Sequence, residues 1–113
     1  MNISYILQVL IAILFFCIGI CFGQVSVIHF NSEWNSNNNF DITVLKDCDV
    51  DSVIICDNPE LQEKHEIKSV PTIIVFDEGI EVVRFEANIM MQLEATRKEI
   101  QKEIEKILLA KFE

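Results

Sequence analysis

The chain is 113 residues long, enough for one small domain and too short for two. It carries 9 Lys and Arg against 18 Asp and Glu, a net charge of −9, and none of these charges lies in the first 23 residues. An acidic domain of this kind repels phosphate backbones and anionic lipid heads, which argues against nucleic-acid binding and leaves the N-terminus as the route to a membrane.

That N-terminus is apolar. Tyr5 to Phe22 is an uncharged run with Gln8 as its one strongly polar member. Eighteen residues just span a hydrocarbon core at helical rise, so residues 1–23 are expected to be a transmembrane anchor or a signal peptide. Cys21 and Gly23 supply small residues at −3 and −1 for a cut before Gln24, although the usual positive n-region is missing. Residues 24–113 then form the folded domain. The acidic domain has no Lys/Arg cluster to hold it in the cytoplasm, so an extracytoplasmic location, membrane-anchored or secreted, is expected.

Val25 to Phe30 is β-branched and apolar, as suits a buried strand. The polar run Asn31 to Asn39 suits turns and caps, and Phe40 to Asp47 permits a short helix, against the low propensity of Ile42, Thr43 and Val44. Val53 to Cys56 reads as a second buried strand. Asn58 and Pro59 supply an N-cap and a first helical residue for a helix to about Glu66. Val70 to Phe76 is a third strand entered through Pro71, and Asp77-Glu78-Gly79 turns it into a fourth over Glu81 to Phe85. From about Ala95 to Lys111, Ile100, Ile104, Ile107 and Leu108 form one apolar stripe of a C-terminal helix. The order β-α-β-α-β-β-α, preceded by the apolar N-terminal helix, gives an α/β fold. A helical crossover makes the first two strands parallel and a hairpin makes the last two antiparallel, so the four-stranded sheet is mixed and flanked by helices.

Several residues at matching places resemble the thioredoxin superfamily. Phe30-Asn31-Ser32-Glu33-Trp34 is similar to the strand end and tryptophan that lead into W-C-G-P-C. Asp57-Asn58-Pro59-Glu60-Leu61, followed by His65 to Thr72, resembles the family's D-x-N-P and Y-x-I-x-x-x-P-T stretches. On that resemblance Pro71 matches the cis-proline and Gly79 the hairpin glycine, and the expected fold is thioredoxin-like. Asn35 and Asn38 stand where the family has its two redox cysteines, and His29 stands where it buries an acid. Exchange of disulfides requires a thiolate, which an amide cannot supply. The resemblance therefore implies a redox-inactive member with W-N-x-x-N, needing no cofactor.

What the fold would keep is a peptide-binding groove. The resemblance implies a surface from Trp34, Asn35, Asn38, Val70 and Pro71, where a protein or peptide partner could pair as an added strand. Trp34 is a large amphipathic anchor, and the alternative is that it packs on the following helix. Glu86 to Gln92, with Ile89, Met90 and Met91, is either a further contact surface or packing under the last helix. Cys48 and Cys56, the two thiols of the domain, are left as a structural disulfide, a relocated redox pair or two separate thiols. Cys17 and Cys21 read as small apolar residues. No close ligand pair suggests a metal. His29 reads as a core histidine satisfied by a neighbour, and His65 as a surface residue.

Overall fold

The computed structural model describes residues 24–112. The anchor or signal peptide read in residues 1–23, with Cys17 and Cys21, lies outside the described residues.

Four strands, β1 (Val25–Asn31), β2 (Asp49–Ile54), β3 (Thr72–Asp77) and β4 (Ile80–Glu86), form one sheet in the order β2-β1-β3-β4. β1 and β2 are parallel, and β1–β3 and β3–β4 are antiparallel. β1 and β3 are central and apolar, because both of their faces are covered. Their alternating side chains feed two cores. Val25, Val27, Ile73 and Val75 pack with Ile42, Leu45, Ile100 and Ile104 on one face. Phe30, Ile74 and Phe76 pack with Val53, Ile55, Ile67 and Val70 on the other.

Helix α2 (Arg97–Ala110) covers the first face through the fully buried Ile100 and Ile104. Thr96 caps it by accepting from the Glu99 N–H at 3.2 Å, in the T-x-x-E pattern that satisfies an otherwise orphaned donor. Helix α1 (Pro59–Lys64) covers part of the second face and has Pro59 at its start. Asn58 stands at the cap position, yet its side chain donates instead to the Ile54 carbonyl at 3.0 Å. The end of α1 is held from the sheet. Arg84 of β4 donates to the carbonyls of His65 and Glu66 at 2.9 and 3.2 Å, supplying the charge that a helix C-terminus attracts. Glu81 clamps the same guanidinium at 2.6 and 2.9 Å, which pulls its own carboxyl below the ordinary range.

Three sequence expectations need correction. No α-helix forms between β1 and β2. Two 3-10 segments, Glu33–Asn38 and Ile42–Val44, take its place, and Asp41 accepts from the Thr43 N–H at 3.1 Å to start the second. The β-branched triplet Ile42-Thr43-Val44 disfavours a longer helix. Strand β2 begins at Asp49, not Val53, and Ile55 and Cys56 fall in the turn after it. As an edge strand, β2 tolerates the polar Asp49-Val50-Asp51-Ser52 that reads as loop. His65 is half-buried rather than a surface residue: its ring lies 5.3 Å from Phe30 and 5.5 Å from Phe76.

The β3–β4 turn follows the sequence reading. Glu78 and Gly79 have φ of 53° and 80°, the left-handed pair of a two-residue hairpin loop, which glycine adopts without strain.

Candidate functional site

The C-terminal ends of β1 and β2 and the loop leading into β3 meet at one edge of the molecule. β1 ends in Asn31, fully buried, and the chain turns through Ser32 into the Glu33–Asn38 segment. Val70 and Pro71 are joined by a cis peptide bond, and both are buried. The loop after β4 closes the third side. It is pinned by Asn88, whose side-chain oxygen accepts from the N–H groups of Met90 and Gln92 at 2.9 and 3.1 Å.

Asn35 ties these three pieces together. Its buried side-chain nitrogen faces Asn31 Oδ1 at 3.2 Å, the Val70 carbonyl at 3.3 Å and the Met91 carbonyl at 3.2 Å. Two amide hydrogens meet three acceptors, so one hydrogen is shared. Its oxygen accepts from Asn38 Nδ2 at 2.8 Å. Asn31 completes the network by donating to the Asn35 carbonyl at 3.1 Å and to Asn39 Oδ1. The two positions that the resemblance matches to redox cysteines thus carry a fully engaged amide and its donor.

Outside this network lies an open groove of about 650 Å³. Its lining includes Trp34 after β1, Ile55 and Cys56 after β2, Ser69 and Val70 before β3, and Asn88, Ile89 and Met91 after β4. Trp34 is 63% exposed and Ile89 96% exposed, so neither packs into the core. Met90 and Met91 are exposed as well, so the Ile89–Met91 stretch does not pack under the last helix. Of the five groove residues named from sequence, Trp34 and Val70 line it. Asn35 and Pro71 are buried behind it, and half-buried Asn38 is set to one side. One of the two lone pairs on the Val70 carbonyl already serves Asn35, which halves what a pairing strand finds there. The Ser69 hydroxyl is buried and has no hydrogen-bond partner among the described residues.

Sequence reasoning missed Asn31, Ser69 and Cys56 at this place. The signal for Asn31 was available: a polar side chain ending an apolar strand is costly unless it is bonded. Nothing local marks Cys56, which comes to the groove only because β2 ends beside β1.

Cys48 and Cys56 do not come together. Both are free; Cys48 precedes β2 and Cys56 follows it, so the extended strand separates them by roughly 20 Å. A disulfide needs Cα atoms within about 7 Å, which excludes both the structural bridge and the relocated redox pair in this fold. Burial, then Asp49 and Asp47, push the Cys48 thiol up, away from the reactive thiolate. His29 is buried as expected and accepts from the Phe40 N–H at 3.3 Å, and burial lowers its pKa.

No family model and no curated protein matches the sequence. Many solved structures match the fold. Thioredoxin-2 of the malaria parasite, described as a component of its protein secretion machinery, is 21% identical with a TM-score of 0.61, over 74% of this chain and 84% of that one. A mutant thioredoxin of Halobacterium salinarum is 18% identical with a TM-score of 0.60, over 74% of each chain. Fasciola hepatica thioredoxin is 20% identical with a TM-score of 0.58, over 84% and 91%. The described domain has a thioredoxin-like fold.

Proposed function

We propose that this is a non-catalytic thioredoxin-like domain, delivered to or across a membrane by residues 1–23, that holds a protein or peptide partner in the groove at Trp34 and Val70. One observation carries the reading: the Asn35 amide, where exchange chemistry needs sulfur, is spent on holding the groove's own walls. A site whose reacting group has become a brace keeps its shape and loses its reaction.

The groove has features that favour a bound chain. Trp34 is a rigid aromatic anchor of the kind that dominates binding energy, and Ile89 and Met91 extend an apolar rim beside it. The second lone pair of the Val70 carbonyl offers a polar contact in the groove lining. Ile89, Trp34 and the braced backbone make a partner with apolar side chains along an extended segment the best fit.

The test is direct. The purified full chain should show no insulin-disulfide reduction with dithiothreitol. A partner recovered by crosslinking from membranes should bind the Trp34→Ala protein about 10–100-fold more weakly, as loss of a hot-spot anchor costs. Reductase activity dependent on the chain, or binding indifferent to Trp34, refutes the reading.

A further inference from the structure

The groove occupies one end of the sheet; the chain enters at the other. Val25, the first residue of β1, pairs with Asp77, and Asp77 pairs with Ile80, so these three form a row across the entry end. The end of α2 joins that row: Lys111 Nζ lies 2.7 Å from Asp77 Oδ1, and Leu108 sits beside Gln24 and Val25 in a small cleft. Residues paired directly across antiparallel strands point to the same face, so Ile80 lies on the face that α2 covers.

This end exposes three large apolar side chains among its charged ones. Ile80 is 71%, Leu109 66% and Phe112 87% exposed. They gain nothing for the core. Large exposed apolar side chains grouped at one end mark an interaction surface.

The sequence says what meets it. Gly23 and Gln24 alone separate Phe22, the last residue of the 18-residue apolar run, from Val25. Three Cα steps reach at most about 10 Å. The interfacial layer of a bilayer is itself about 5–8 Å deep on each side. A domain tethered so closely cannot stand off from the lipid.

We infer that the end of the domain carrying Ile80, Leu109 and Phe112 is a membrane-facing surface, seated among zwitterionic lipid headgroups. The inference rests on the reading of residues 1–23 as a retained anchor. Phe and Ile side chains favour the headgroup boundary over water, while the same end also bears Asp47, Asp49 and Glu78, which an anionic surface would repel. Zwitterionic lipid accommodates both. The seven residues of β1 then carry the Trp34 groove roughly 20 Å further out, open to the aqueous side.

Trp34 is the chain's one tryptophan, which makes it a built-in reporter for the far end. The full chain, purified from membranes and weighed to fix its N-terminus, is reconstituted into phosphatidylcholine vesicles containing headgroup spin-labelled lipid. Two reporters of the near end are made in a Trp34→Phe background, Phe112→Trp and Ile80→Trp. Both replace exposed residues, so either serves if the other folds poorly. Their fluorescence should be quenched about twofold or more, with Trp34 of the unaltered chain left nearly unquenched, because spin-label quenching acts within the headgroup layer. A chain that resists alkaline extraction but quenches Trp34 as strongly as both near-end reporters overturns the inference alone. A chain that begins at Gln24 and separates from the vesicles overturns the anchor and the inference together.

Discussion

An amide and a thiol differ less in size than in what they ask of their neighbours. At position 35 the side chain is an obligate hydrogen-bonding group, and the fold answers it with Asn31, Asn38, Val70 and Met91. The polar run Asn31 to Asn39 was legible as turns and caps, but the burial of Asn31, Ser32 and Asn35 and the partners that permit it were not. Val70 and Met91 lie 35 and 56 residues away, and no local spacing announces such a contact. His65 repeats the lesson, since Phe30 and Phe76 reach it only through the sheet. His29 gives the residue-scale prediction. Burial holds its imidazole, and that of His65, below the ordinary value of 6.5. The unfolded chain therefore binds more protons than the folded one as pH falls through that value, so stability is full above it and declines below. Thermal unfolding followed by circular dichroism should show a falling midpoint from neutrality toward pH 5.5. The decline should be shallower in His29→Gln, which cannot take up the proton. A steeper decline in that variant would contradict the assignment.

At the scale of elements, apolar period and start signals read well where they agreed with each other. The stripe of α2, the Pro59 start of α1 and the Glu78–Gly79 turn all stand close to their sequence positions. The reading failed where tertiary position overrode composition. β2 is half polar because an edge strand is covered on one side only, and Ile42 to Val44 stops at a single 3-10 turn. The cap of α2 can be isolated experimentally. Thr96→Ala removes the acceptor for the Glu99 N–H at an exposed position, so the loss should be about 1 kcal/mol, or a midpoint lower by roughly 5 °C. Thr96→Ser should recover most of it. Equal losses in the two variants would mean that the hydroxyl is not what matters.

For the molecule as a whole, the order β2-β1-β3-β4 leaves two open edges, and each is guarded differently. Along β2, Asp49 and Asp51 are exposed, and charges of one sign repel a second copy. Along β4, the register slips between Val75 and Phe76, pairing with Val83 and then Glu81, so Val82 stands out of the ladder as a bulge. Both edges are thus guarded against pairing with another chain. Replacing both Asp49 and Asp51 with Val should remove the guard on β2. Light scattering should then rise with concentration in the variant while the unaltered chain stays flat, and unchanged scattering would locate the protection elsewhere. The four strands and their mixed pairing were visible in the sequence, though the first crossover proved to be two 3-10 segments and not an α-helix. The juxtaposition of entry end and apolar patch was not, because it depends on β1, β3, β4 and α2 ending in one plane.

The brace at Asn35 also sets a clock. Asparagine amides are among the thermolabile groups of proteins, and hydrolysis turns the nitrogen into an oxygen. At this position the new oxygen would face the Val70 carbonyl, the Met91 carbonyl and Asn31 Oδ1, with no hydrogen left to share among them. Four acceptors would then crowd one buried point, and a negative charge would sit among them without a counterion. Hydrolysis of this single amide would loosen the cis-proline loop and the Met91 loop together, because both lean on it.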